Sequence, residues 1–131
     1  MGKVLALDYG SKNIGVATGD FQFKMAFPRD VIANKGLESV LEALLSICNE
    51  LNVELVVLGL PLNMKAEHKE NKIEKDVRAL KSALEEVGVK VELVDERLSS
   101  FEAKQLTGKK RDVDAEAAQI ILQRYFDNLA S

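Results

Sequence analysis

The sequence predicts an α/β fold, a five-stranded mixed sheet flanked by helices. Three observations lead there. In the first quarter of the chain, apolar runs of strand length are joined by connections too short for a helix, which makes them antiparallel neighbours. From Leu37 onward the apolar period lengthens to that of a helix, and helix-like and strand-like segments then alternate, the pattern of crossovers that add parallel strands. The most apolar run, Val4–Leu7, ends in a carboxylate, Asp8, at the kind of strand end where α/β folds place their sites.

Val4–Asp8 reads as a strand buried on both faces, because its apolar residues are continuous rather than alternating. The polar turn Asp8-Tyr9-Gly10-Ser11-Lys12-Asn13 leads into a second strand, Ile14–Thr18. A third is expected around Lys24–Val31, where Pro28 points to an edge or a bulge. Leu37, Val40, Leu41, Leu44, Leu45, Cys48 and Leu51 recur at helical spacing, so Leu37–Leu51 is an amphipathic helix. Val53–Leu60 is the next strand, and residues 63–71 read as a charged loop. Ile73, Val77, Leu80, Leu84 and Val87 form a second helix stopped by Gly88. Val89, Val91 and Leu93 alternate with Lys90 and Glu92 in a half-exposed strand that ends at Asp95-Glu96. Ser99-Ser100-Phe101-Glu102 fits a capping box that opens a short helix closed by Gly108, and a last helix runs from Val113 to Leu129.

Length and composition bound the function. A chain of 131 residues without repeat, low-complexity stretch or linker is expected to form a single domain over residues 1–131. With 47% hydrophobic and 30% charged residues it is an ordinary globular sequence, not a disordered one. Its longest apolar runs fall far short of the ~20 residues of a membrane span. Met1-Gly2-Lys3-Val4 runs straight into a strand with no signal-peptide core, and Ala6 stands where myristoylation needs Ser or Thr. The single cysteine, Cys48, cannot form an internal disulfide, so the cytoplasm is the expected compartment. The formal charge of −3 (18 basic against 21 acidic residues) counts against nucleic-acid binding by a bulk positive field, but not against a local basic patch or a metal-assisted site.

Three acidic positions stand out by location. Asp8 and the pair Asp95-Glu96 end strands; Asp114 lies one turn into the last helix, with Ala118, Ile121 and Tyr125 following on the same apolar side. A lone carboxylate on a sheet-facing helix side is costly unless it meets a cation or donors. Carboxylates converging from two strand ends and a helix start suit Mg²⁺ or Mn²⁺, hard ions that take oxygen ligands and can assist phosphodiester hydrolysis. Each also has a local use. Asp8 is a turn-former before Gly10, Asp114 complements a helix N-terminus, and Asp95 or Glu96 can pair with Arg97 or cap the next helix. Alternation lets only one of Asp95 and Glu96 point inward, and the pattern leaves open which. The only histidine, His68, lies in the charged loop, and Cys48 has no histidine near it in sequence, so serine–histidine, cysteine–histidine and zinc chemistry lack their residues. Arg97 and the run Lys109-Lys110-Arg111 are candidate phosphate contacts, the latter equally a solubilising loop.

Four motifs in order resemble the YqgF (RuvX) family: Asp8-Tyr9-Gly10-Ser11-Lys12-Asn13-Ile14-Gly15-Val16-Ala17, then Gly59-Leu60-Pro61-Leu62, then Asp95-Glu96-Arg97-Leu98-Ser99-Ser100, then Asp114 to Gln123. Members of that bacterial family are described as Holliday junction resolvases and as pre-16S ribosomal RNA nucleases. The resemblance spans essentially the whole chain. It implies a ribonuclease H-like fold and a metal-dependent endonuclease whose catalytic and metal-binding carboxylates are Asp8, Glu96 and Asp114, which decides for Glu96 over Asp95. It further implies nucleic acid as partner, a precursor 16S ribosomal RNA end or branched DNA; the expected contacts are Lys12, Arg97, Lys109, Lys110 and Arg111. Either a monomer or a homodimer fits, the dimer being favoured for a branched substrate.

The chain departs from the family pattern in places. Asn13 stands where an arginine is frequent, which removes one phosphate contact, and residues 63–71 lack the usual Asp-Gly, so that backbone is less free to approach a ligand. Ser99-Ser100 replaces threonines and keeps both hydroxyls. The strand ending at Gly59 lacks the carboxylate found in related junction resolvases, which leaves three good carboxylates. Two other readings share the fold. A non-catalytic ribosome-assembly binding module fits the acidic balance and would be indifferent to EDTA. Asp8-x-Gly10 followed by Asp20 resembles a phosphate segment of actin-like ATPases, which need two such domains where this length supplies one.

Overall fold

β1 (Lys3–Tyr9) is the middle strand of a five-stranded sheet, and its apolar run is continuous because both of its faces are covered. The computed structural model describes residues 2–60, 72–95 and 113–129. The remaining elements are β2 (Asn13–Asp20), β3 (Ala26–Ala33), α1 (Leu37–Leu51), β4 (Val53–Leu60), α2 (Lys72–Glu86), β5 (Lys90–Asp95) and α3 (Val113–Leu129). The expected short helix over 99–108 and the charged loop over 63–71 lie outside the described residues. The strand order is β3-β2-β1-β4-β5. β2 pairs antiparallel with both β1 and β3, and β4 pairs parallel with both β1 and β5. This is the expected division into hairpins first and crossover strands afterwards.

Alternation sorts the side chains into two layers. Leu5, Leu7 and Tyr9 of β1 join Ile14, Val16, Val56 and Leu58 on one face, under Val40, Leu44 and Cys48 of α1 and Val77, Leu80 and Leu84 of α2. Val4 and Ala6 join Ala17, Leu55 and Val57 on the other, under Ala118, Ile121, Leu122 and Phe126 of α3. Fully burying an aliphatic side chain of this size is worth roughly 1.5–3 kcal/mol, so each layer is a substantial source of stability.

Helix bounds follow their stop signals. Asn52 adopts the left-handed conformation (φ 55°) and donates its N–H to the Cys48 carbonyl, closing α1 where the apolar period ends. α2 stops at Glu86, one residue before the expected Val87, because the chain already turns through Gly88 at φ 92°.

β3 begins two residues later than its pattern implied, at Ala26. The Asp20 carboxylate accepts the Phe23 N–H at 2.7 Å, and Lys24 sits at φ 54°, so the turn persists through residue 24. Pro28 lies on this edge strand and beside a bulge: Val16 pairs with Asp30 and Ala17 with Pro28, leaving Arg29 as the extra residue. The open side of β3 is blunted. Asp30 accepts the Val31 N–H at 2.8 Å, and two glutamines of α3 take up the backbone at the strand's start. Gln123 accepts from the Ala26 N–H at 3.0 Å and donates to the Lys24 carbonyl at 2.9 Å, while Gln119 donates to the Ala26 carbonyl at 3.0 Å. Such an edge offers few free groups for pairing with another strand.

Candidate active site

Asp8 is the last residue but one of β1 and shares the parity of Val4 and Ala6, which puts it on the α3 face of the sheet. It is buried, at 7% exposure. In register it lies opposite Gly15 of β2 on one side and Gly59 of β4 on the other. Neither register neighbour carries a side chain, so along the ladder only glycine backbone stands beside Asp8.

Asp114 comes to the same place from far along the sequence. It lies in the first turn of α3, and the backbone carbonyl of Asp114 is in direct contact with the Gly15 backbone. Gly15 therefore touches both acidic positions, facing Asp8 across the ladder and Asp114 across the helix–sheet interface. Asp114 is partly buried, and this desolvation pushes its carboxyl pKa up from the ordinary aspartate value. Carboxylates are hard donors, and a divalent cation between them would offset the cost of placing both in a shielded corner.

The parallel arrangement of β1, β4 and β5 brings the ends of all three strands to the same edge. β5 finishes there at Asp95, whose backbone is in register with Leu60. The expected third carboxylate, Glu96, lies outside the described residues, as do Arg97, Lys109, Lys110 and Arg111. Among the described residues no group of three or more His, Cys, Asp and Glu is placed to hold a metal. Lys12 stands exposed on the β1–β2 turn at this edge, its carbonyl accepting the Asn34 N–H at 2.9 Å. Beside it, on the opposite face of the sheet from Asp8, a cavity of about 350 Å³ is lined in part by Tyr9, Ser11, Asn34, Lys72 and Asp76.

Two other reactive groups among the described residues, Cys48 and Tyr125, have roles in packing. Cys48 is buried in the α1 layer and its thiol pKa is raised by burial, the opposite of an activated nucleophile. Tyr125 is pushed up to about 12 by burial, by its hydrogen bond to Glu92 and by that carboxylate's charge, so it stays a neutral phenol. Sequence reasoning passed over Gly15 and Gly59 as neighbours of Asp8. The signal available was a glycine inside a strand pattern, which marks a close backbone approach.

Comparison with known proteins decides among the readings that this geometry allows. Residues 2–128 match the RuvX family, described as Holliday junction resolvase. The chain belongs to the RuvX family. It is 39% identical over 127 residues to a protein of Cupriavidus necator provisionally named pre-16S rRNA nuclease, covering 96% of this chain and 89% of the relative. It is 38% identical over 128 residues to the Bordetella pertussis protein of the same name, covering 97% and 95%. Among solved structures, Thermus thermophilus RuvC in complex with a Holliday junction substrate superposes with a TM-score of 0.61 at 16% identity, over 100% of this chain and 97% of that one. The fold is thus that of the RuvC-like resolvases, the ribonuclease H-like architecture. Family and relatives place this RuvX chain among nucleases, hydrolases that act on phosphodiester bonds. Among the described residues no helix is long and apolar enough to cross a membrane.

Proposed function

We propose that this RuvX protein is a metal-dependent endonuclease that trims the 5′ end of precursor 16S ribosomal RNA in the cytoplasm. The observation that carries the reading is the meeting of Asp8 and Asp114 at the carboxyl edge of the sheet, with glycines on both sides of Asp8. The substrate class comes from the names of the relatives.

Asp8, Asp114 and Glu96 would hold Mg²⁺ or Mn²⁺. The parity of β5 favours Glu96 over Asp95: Val91 and Leu93 belong to the α1–α2 layer, Val94 to the α3 layer, and Glu96 has the index of Val94. When bound, the ions supply a hydroxide near neutral pH and stabilise the departing oxygen. The protein contributes alignment. Asp8 is held by a central strand and Asp114 by a helix seated on backbone, so neither ligand has to be ordered when substrate arrives. Lys12 at the rim, with Arg97 and Lys109-Lys110-Arg111, would contact substrate phosphates, compensating locally for the net charge of −3.

The test is cleavage of a labelled precursor-16S 5′-end RNA beside a four-way DNA junction, with Mn²⁺, Mg²⁺ or EDTA. Metal-dependent cutting of the RNA supports the reading. Cutting of the junction alone moves the substrate to branched DNA, as the family description has it. No cutting of either, with binding unaffected by EDTA, overturns the nuclease reading in favour of a ribosome-assembly binding module.

A further inference from the structure

We infer that Gly15 is a positioning residue: the missing side chain there sets how closely the first turn of α3, and with it Asp114, approaches Asp8. The inference rests on the metal–carboxylate reading above and assigns the spacing of that site to a residue that is not itself a ligand.

Glycine is not required at this position by backbone conformation. The described glycines with positive φ are Gly36 and Gly88, whereas Gly15 lies in regular antiparallel pairing within β2. The requirement is steric. A Cβ on Gly15 would overlap the carbonyl carbon and oxygen of Asp114 and stand 2.8 Å from the Ala115 nitrogen. These are backbone atoms of a helix, with no rotamer by which to move aside, so α3 as a body would have to lift from the sheet at this end. The residue directly across the ladder is Asp8. Lifting α3 here therefore moves Asp114 away from Asp8, the two residues that would hold the ion.

The same strand supplies a control. Gly19 shares the parity of Gly15 and also faces α3, at the far end of the strand. A Cβ there would stand 2.5 Å from the Met25 carbonyl oxygen and 2.8 Å from the Phe126 ring. Alanine at 19 thus crowds the same helix–sheet interface away from the carboxylates. Both substitutions cost stability; only the one at 15 moves a ligand. Residues that orient metal ligands are worth about 10–100-fold in metal affinity, and a misplacement of about 1 Å can cost about 100-fold in rate.

The experiment is calorimetric titration of the full chain with Mn²⁺ alone, together with thermal unfolding, for wild type, Gly15→Ala and Gly19→Ala. Gly15→Ala is expected to weaken Mn²⁺ binding about tenfold or more, while Gly19→Ala, with a comparable fall in Tm, stays within about twofold of wild type. Wild-type affinity in folded Gly15→Ala, or equal weakening in both variants, overturns the inference and leaves the nuclease reading standing. Failure of wild type itself to bind Mn²⁺ overturns the metal reading, and the inference with it. Should Gly15→Ala not fold, amide hydrogen exchange of wild type decides. Mn²⁺ is expected to slow exchange in the first turn of α3 and at Gly15 but not at Gly19, and protection absent from Gly15 refutes the inference.

Discussion

On the sheet face turned to α1 and α2, β1 and β2 present Leu5, Leu7, Tyr9, Ile14 and Val16; on the face turned to α3 the same strands present Val4, Ala6, Asp8, Gly15 and Ala17. Large side chains hold two helices off the first face, and small ones let a single helix lie on the second with its backbone against a strand. Side-chain packing has slack, since neighbouring rotamers can adjust to a change in volume. Backbone seated on backbone has little. The carboxylates lie on the side with little slack, which is where alignment to within about 1 Å is worth most. Both faces bury a core, and on the reading proposed above the second also sets the alignment of the carboxylates.

The change expected to break this division most visibly is Asp8→Asn. It keeps shape and volume but removes a ligand charge, so cleavage should fall about 1,000-fold or more, the equivalent of ~4 kcal/mol of transition-state stabilisation. The circular dichroism spectrum and Tm should stay close to wild type. Cleavage at the wild-type rate would remove Asp8 from the chemistry.

Leu44→Ala is the counterpart on the packing face. Leu44 is fully buried between α1 and the sheet, and its truncation should cost roughly 2–5 kcal/mol, read as a lower urea midpoint. Mn²⁺ affinity of the folded fraction should not change. A parallel loss of affinity would show that the two faces are coupled rather than divided in their tasks.

Those two faces were unequally legible in the sequence. The α1 layer was open to reading because its period is local: Leu37–Leu51 and Val53–Leu60 were expected with the bounds observed. The α3 layer depends on contacts between residues remote in sequence. Asp114 was recognisable as an acidic residue on an apolar helix side, but nothing local to residue 15 says which backbone will approach it. β3 was displaced for a related reason. Asp20 and Lys24 prolong the turn, and glutamines of the last helix hold the segment that follows, which strand propensity does not register. Glu96, the member of the carboxylate set that needed the family resemblance to choose it, lies outside the described residues.

Gln123→Ala sharpens the comparison from the edge of the α3 face. The side chain accepts the Ala26 N–H and donates to the Lys24 carbonyl, so its loss leaves two backbone groups without their partner, at a cost of about 1–3 kcal/mol. Exchange of the Ala26 amide should accelerate, while Mn²⁺ affinity should hold, because this contact lies nine residues along α3 from Asp114.

The smallest effect concerns pH. Burial raises the Asp114 pKa in the folded state, so the protonated form is favoured by folding. Its contribution to stability is therefore fully present below the ordinary aspartate pKa and is lost as pH rises through the folded value. At pH 7, without metal, the ionised carboxylate is a liability, and Asp114→Asn should unfold at a higher temperature than wild type. The difference should shrink towards zero below about pH 3.5, where the wild-type carboxyl is protonated as well. Added Mn²⁺ should reverse the order at pH 7, raising the Tm of wild type above that of the variant, because only wild type presents the charge. A variant no more stable than wild type in EDTA at pH 7 would mean that Asp114 already has its compensating partner within the protein. The corner would then be a salt-linked support rather than a site kept ready for a cation.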